Sequence, residues 1–159
     1  VIIPLNGFDD YYKERVNFRY GVGRKLRDIE MTLNYLDTGR TCSGLPIESL
    51  LEEAEAMQQS KNIDTKYFKV TFYKKGTCHL EFKDLELLKK FNIFGSQRKG
   101  WLPPDYGRKN YQDMTAEEQT VINEFDGSAL EYQQVMQDKE YYLVDRGTNL
   151  VLLNPGTAA

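Results

Sequence analysis

The stretch Lys66–Asn92, KYFKVTFYKKGTCHLEFKDLELLKKFN, constrains this chain more than any other. Apolar and polar residues alternate on both sides of Lys74-Lys75-Gly76, the pattern of a β-hairpin with a three-residue loop. Gly76 stands where a type I turn followed by a G1 bulge needs positive φ. The resulting register pairs Phe72 with Cys78, Val70 with Leu80 and Phe68 with Phe82 on one face. The opposite face then carries Thr71 across from His79 and Lys69 across from Glu81, a favourable pairing of charges. A one-residue slip would scatter the apolar side chains over both faces, so the pattern favours this register.

Helical spacing surrounds the hairpin. Leu26, Ile29, Leu33 and Leu36 form one apolar stripe from Arg24 onward, and Gly39 is placed to end that helix in the left-handed conformation. Pro46 fits the first turn of a second helix, with Ile47, Leu50, Leu51, Ala54 and Met57 inward. Ser60–Thr65 reads as a polar linker. After the hairpin, Asp84 can cap a helix whose inner face is Leu85, Leu88 and Phe91, with Leu87 at its margin and Gly95 at its end. Lys99–Asn110 is a loop, stiffened by Pro103-Pro104. Thr115-x-x-Glu118 and Ser128-x-x-Glu131 match the capping box, and each opens an amphipathic run. Tyr141–Val144 and Leu150–Leu153, joined by a turn at Asp145-Arg146-Gly147, suggest a second hairpin. Short Val1–Leu5 suggests a strand.

Helices and hairpins therefore alternate without the β-α-β rhythm of a parallel sheet. The expected class is α+β: a small antiparallel sheet built from two β-hairpins, packed against about five helices. The 159 residues are expected to make one globular domain over 1–153 with a flexible tail at 154–159. The chain opens on Val1 in a strand-like run, which suggests a segment cut from a longer polypeptide. No apolar run approaches the roughly 18–20 residues of a membrane span, and no membrane partner is expected. Cys42 and Cys78 form no C-x-x-C unit and read as buried free thiols of a cytoplasmic protein.

Functional candidates fall in two places. Lys89–Lys109 gathers Lys89, Lys90, Arg98, Lys99, Arg108 and Lys109 with Trp101 and Tyr106, against one acid, Asp105. Interleaved cations and aromatics can neutralise phosphates and stack on bases, so DNA or RNA is the expected partner. The bland alternative has Trp101 and Leu102 plugged into the core while the cations stay solvated. The hairpin's polar face adds Lys69, His79 and Lys83 as candidate nucleic-acid contacts. A net charge of −3 and the acidic run Asp113–Glu140 confine any polyanion to such local patches. Asp64 with Glu81-x-Lys83 weakly matches the layout of metal-dependent nucleases. No phosphate-binding loop or nucleophile elbow is present. Asn154-Pro155-Gly156 lacks the second proline and the aromatic residue of the motif used by amino-methyltransferases. No catalytic or metal-ligating residue and no cofactor is assigned to this segment.

The segments VIIP, RYGVGRKLRDIEMTLNYLDTG, YFKVTFYKKGTCHLEFKDLELLKKFN, GWLPPDYGRKNYQDM and EEQTVINEFDG together resemble the domain-of-unknown-function family 4942, over roughly residues 1–136. The most specific pieces are KKGTCHLEFKD and Trp101-Leu102-Pro103-Pro104. The resemblance implies a domain beside or within bacterial class I S-adenosylmethionine-dependent methyltransferase-like proteins of mobile elements, with links to DNA modification. It carries no catalytic residues, and it leaves S-adenosylmethionine to a neighbouring domain. The leading expectation is a non-catalytic accessory or substrate-recognition domain that contacts nucleic acid. The rivals are a structural interaction or dimerisation module, and a metal-dependent nuclease built on Asp64, Glu81 and Lys83.

Overall fold

The computed structural model describes residues 1–42 and 44–144. The chain divides into two compact units, Val1–Leu88 and Lys89–Ala159.

In the first unit the hairpin forms as its alternation requires. Strands β3 (Phe68–Tyr73) and β4 (Thr77–Phe82) pair antiparallel, with Phe72 facing Cys78, Val70 facing Leu80 and Thr71 facing His79. Gly76 takes φ 85°, and its N–H donates to Tyr73 O at 3.0 Å. Two short strands extend the ribbon on either side. The first, β1 (Ile2–Ile3), pairs with β4, while β2 (Ile63–Asp64) pairs with β3, giving the order β1-β4-β3-β2. The α+β class holds, but the sheet is one hairpin with two flanking strands rather than two hairpins.

The apolar face of the sheet is sealed: Ile63, Phe68, Val70, Phe72, Cys78 and Leu80 are all buried. Each such side chain contributes on the order of 1.5–3 kcal/mol by leaving water. Burial pushes the Cys78 thiol up to about 11, which makes it a poor nucleophile. Both cysteines are free, but Cys42 is exposed, contrary to the expectation of two buried thiols. Gly7 lies against this core. A Cβ there would stand 2.5 Å from Phe72 Cδ1 and 2.9 Å from Phe18 Cε1, so only glycine fits without displacement.

Helix α1 (Tyr20–Thr38) begins four residues ahead of its predicted stripe and buries Val22, Leu26, Leu33 and Leu36. Gly39 closes it at φ 73°, with its N–H bonded to Tyr35 O, the single-bond left-handed cap. In α2 (Ile47–Ala56), Ile47, Leu51 and Ala54 are buried, while Met57 lies beyond the last turn and is exposed. The Tyr67 hydroxyl donates to Asn34 Oδ1 at 2.7 Å and Asp37 Oδ2 at 2.9 Å, tying the entry to β3 onto α1. Burial and the Asp37 carboxylate hold that phenol above its ordinary value.

The boundary between units falls within α3 (Leu85–Lys99). Asp84 caps it as expected, accepting from Leu87 N–H at 2.9 Å. The expected inner face is wrong: Leu85 is exposed, whereas Leu87 and Ile93 are buried. Gly95 does not end the helix either. It sits inside the last turns, where a Cβ would meet open space, so nothing forces a stop there. Beyond a 3₁₀ turn at Tyr111–Asp113 come α4 (Ala116–Asp126), α5 (Ala129–Gln137) and α6 (Lys139–Tyr142). Thr115 and Glu118 form the complete reciprocal box, while Ser128 accepts from Glu131 N–H.

The second unit has its own core of Ile93, Leu102, Tyr106, Met114, Ile122, Tyr132, Val135 and Tyr142. Tyr141 and Tyr142 belong to α6, not to the first strand of a second hairpin. The reason is local: Asp138 O accepts from the N–H groups of both tyrosines, and Tyr142 turns into the core. The partner strand Leu150–Leu153, the Asp145-Arg146-Gly147 turn and the 154–159 tail lie outside the described residues.

Candidate functional site

The two candidate surfaces lie in different units and are built differently. On the hairpin, period-two alternation puts Lys69, Thr71, Tyr73, Thr77, His79 and Glu81 on the face opposite the core. The flanking strands add to that face. Ile2 pairs with His79, Asp64 pairs with Lys69, and Asn62 N–H donates to Thr71 Oγ1 at 3.1 Å. An open depression of about 500 Å³ lies over these residues, with Leu85 and Leu88 among its lining.

Its electrostatics are balanced rather than basic. Lys69 stands between Asp64 on one neighbouring strand and Glu81 on the other. Lys83 pairs with Asp64 at 3.0 Å and also donates to Thr65 O. The His79 imidazole packs against the Tyr73 ring at 4.3 Å between centroids, and its Nε2 is shielded from solvent without a hydrogen-bond partner. Of the three strand residues proposed to touch nucleic acid, two are cations alternating with acids and the third has an occluded ring nitrogen.

The same strand pairing keeps the two acids of the nuclease arrangement on separate strands. Asp64 and Glu81 flank Lys69 on strands two places apart, so their backbones stand about 10 Å from each other. Lys69 is the residue paired with both of them, on the strand that separates theirs. Among the described residues, no three metal-ligating side chains gather into one cluster. Asp64 was expected in a linker. It lies instead in a two-residue strand too short to show any period.

In the second unit the basic connection starts from a well-defined helix end. Gly100 takes φ 71°, its N–H donates to Gln97 O at 3.2 Å, and Trp101 N–H donates to Ser96 O at 2.9 Å. That pair of bonds is a Schellman cap, which holds the backbone at Trp101 in one direction. Arg98 and Lys99 occupy the last turn, where positive charge complements the helix dipole. The signal for this end was legible as Arg98-Lys99-Gly100, cations followed by glycine, but the earlier Gly95 masked it.

Past the cap, exposed and buried side chains alternate. Trp101 is 71% exposed, while Leu102 is buried. Tyr106 is also buried, and its hydroxyl lies 3.1 Å from both oxygens of Asp126. Desolvation raises the Asp126 carboxyl above its ordinary value, opposed by the Tyr106 hydrogen bond and by Lys89. Gly107 N–H donates to the Tyr132 hydroxyl at 3.0 Å, and that hydroxyl donates to Lys109 O at 2.7 Å. Lys109 Nζ pairs with Glu118 at 3.0 Å. The loop is thus pinned by Leu102, Tyr106 and Tyr132, and this polar clamp carried no sequence signal.

The six cations of this stretch divide accordingly. Lys89 lies over the Tyr142 ring and Lys90 over the Tyr141 ring, at 5.3 and 4.7 Å. Lys109 is committed to Glu118. Arg98, Lys99 and Arg108 are exposed, and none forms an ion pair among the described residues. The Arg98 guanidinium rests on the Phe94 ring at 5.1 Å. Half of the bland alternative therefore holds: Leu102 plugs the core, and Trp101 does not.

Among the described residues, no helix is long and apolar enough to cross a membrane. No curated protein and no solved structure matches the chain. One family does match, the Domain of unknown function (DUF4942), over residues 1–101. The match takes in the whole first unit and ends at Trp101, so most of the pinned loop and all of α4, α5 and α6 lie beyond it. With nearly two thirds of its length covered, including the hairpin that shapes its sheet, this chain belongs to the DUF4942 family.

Proposed function

We propose that this protein is a non-catalytic recognition domain that contacts nucleic acid through the connection running from Arg98 to Arg108. The observation that carries this reading is the solvent exposure of Trp101 immediately after two unpaired cations, at a helix end whose direction is set by Gly100. Leaving a large indole in water forgoes the transfer energy that burial would provide, so a surface Trp at a rigid point favours use in binding. The balanced charge of the hairpin face makes Lys69, His79 and Lys83 weaker candidates than Arg98, Lys99, Trp101 and Arg108. Lys109 serves this reading as part of the clamp rather than as a phosphate contact.

In the setting implied by the sequence resemblance, the domain works in the cytoplasm. Its host is a bacterial methyltransferase-like protein whose neighbouring domain binds S-adenosylmethionine, and this domain presents the nucleic-acid substrate.

The test is binding of labelled oligonucleotides across a salt series from about 50 to 200 mM. Three phosphate contacts give a log–log slope of about −2 to −3. Replacing Arg98, Lys99 and Arg108 together by Ala should weaken binding at low salt and flatten that slope. Absence of binding to any oligonucleotide at low salt, or binding indifferent to the triple substitution, would overturn the reading.

A further inference from the structure

We infer that the nucleic acid this surface takes is unpaired, with one base stacked on Trp101 and its flanking phosphates held by Arg98, Lys99 and Arg108. The inference rests on the reading above and adds the class of strand. Its starting point is the state of the indole. Trp101 is 71% exposed, and among the described residues no aromatic ring and no cation stacks on it. Leu102, the next residue, and Tyr106, further along the loop, are both buried, so the indole is displayed by an anchored backbone rather than by a loose one.

A flat apolar ring gains most from a partner that is flat and has an open face. In a duplex each base face is already covered by its stacked neighbours, and sequence is read through base edges by polar side chains on an inserted helix or ribbon. Here the element leading to Trp101 is the carbonyl end of α3, which bears the negative end of the helix dipole and offers no N–H groups to phosphate. An unpaired strand has open base faces, and aromatic side chains bind them with little regard to sequence.

The charge count points the same way. Residues 89–144 hold nine acids and seven cations; with Lys89, Lys90 and Lys109 engaged, Arg98, Lys99 and Arg108 are the exposed cations near Trp101 in the chain, and the fourth, Lys139, lies on α6. A duplex brings one phosphate charge per roughly 1.7 Å of its axis, from two strands. Three cations in an acidic unit can accommodate a thin polyanion more readily than a wide one. A single strand is also flexible enough to set a base on Trp101 while bringing its phosphates to Arg98 and Lys99, two and three residues away in the chain.

Trp101 is the only tryptophan, so its emission reports on stacking without a label. The full chain should be titrated with a thymidine oligomer, with the same oligomer lacking its bases, and with a duplex of equal length closed by a hairpin loop at each end. Expected are quenching by the thymidine oligomer, at least roughly ten-fold weaker binding of the abasic strand and of the duplex, and a similar loss for Trp101→Ala measured by anisotropy. Trp101→Phe should recover part of that loss. Trp101→Ala should leave the salt slope unchanged, because it removes no charge.

Duplex binding as tight as single-strand binding, with sensitivity to the triple cation substitution retained, would overturn the inference and leave the nucleic-acid reading standing. Binding of neither strand nor duplex would overturn both. A thymidine oligomer that binds without quenching Trp101, or equally to Trp101→Ala, would remove the stacking role.

Discussion

The clamp beneath the loop yields a prediction whose size and pH dependence both follow from the geometry. In Tyr106→Phe one oxygen is lost and the ring stays, still packed edge-on to Phe125 and Tyr132 at centroid distances of 5.9 and 5.3 Å. What disappears is the hydroxyl that lies 3.1 Å from both Asp126 oxygens. Asp126 is buried and is the last residue of α4, where the helix dipole also disfavours a negative charge. A hydrogen bond to a charged, desolvated group contributes about 1.5–3 kcal/mol, and the phenylalanine ring has no donor to replace it. For a chain of this length the expected fall in Tm is roughly 3–12 °C. Burial raises the folded-state pKa of Asp126, and the tyrosine hydroxyl opposes that rise, so the variant's carboxyl should titrate higher still. A raised carboxyl favours folding below its unfolded pKa, and that contribution is lost as pH climbs through the folded pKa. The gap between Tyr106→Phe and the parent should therefore be widest at neutral pH and narrow in acid, where both proteins hold Asp126 protonated. Urea denaturation followed by far-ultraviolet circular dichroism across pH measures both. Asp126→Asn keeps an acceptor for the tyrosine and removes the charge, so it should be at least as stable as the parent at neutral pH. An equal Tyr106→Phe penalty across that pH range, or a large loss in Asp126→Asn, would refute a charged carboxylate in this clamp.

Two further substitutions test packing and capping. Gly7→Ala places a methyl within 2.5 Å of Phe72 Cδ1, between two rings already 4.7 Å apart, and should cost about 1–3 kcal/mol by urea denaturation; Gly21→Ala, which meets open space, should not destabilise. Thr115→Ala removes the acceptor for Glu118 N–H and should cost about 1 kcal/mol, with Thr115→Ser restoring most of it.

How much of this architecture could be read from residues alone depends on whether the signal was local. Hairpin register was legible because side-chain alternation and the Gly76 turn agree, and a slip would have contradicted both. The cap at Gly39 and the box at Thr115-Glu118 were legible for the same reason: each is complete within five residues. Strand β2 was not, since Ile63-Asp64 is a two-residue strand with no period, held by β3 rather than by its own composition. The inner face of α3 was misread because Leu87 and Ile93 are buried in different units, so no single stripe describes the helix. The length of α3 was misread because glycine permits a stop without imposing one. Gly100, at φ 71° and bonded into the cap, ends the helix; Gly95 does not.

The candidate site shows a different limit, that of counting charges without their partners. Six cations over Lys89–Lys109 suggested a broad basic patch, yet Lys89 and Lys90 face tyrosines about fifty residues away and Lys109 faces Glu118. On the hairpin, Lys69 and Lys83 looked like a basic strip until β2 brought Asp64 alongside them. A side chain already engaged within the protein must give up that contact before it can meet a phosphate, so each internal partner subtracts from the binding surface. Subtraction leaves Arg98, Lys99 and Arg108. Among the described residues of this stretch these three are exposed and free of ion pairs, with Arg98 resting on Phe94 of its own helix, and the large aromatic ring exposed among them in the chain is Trp101. A surface this small can discriminate only by stacking and a few phosphates, which is why the class of strand, and not a base sequence, is the property it can select.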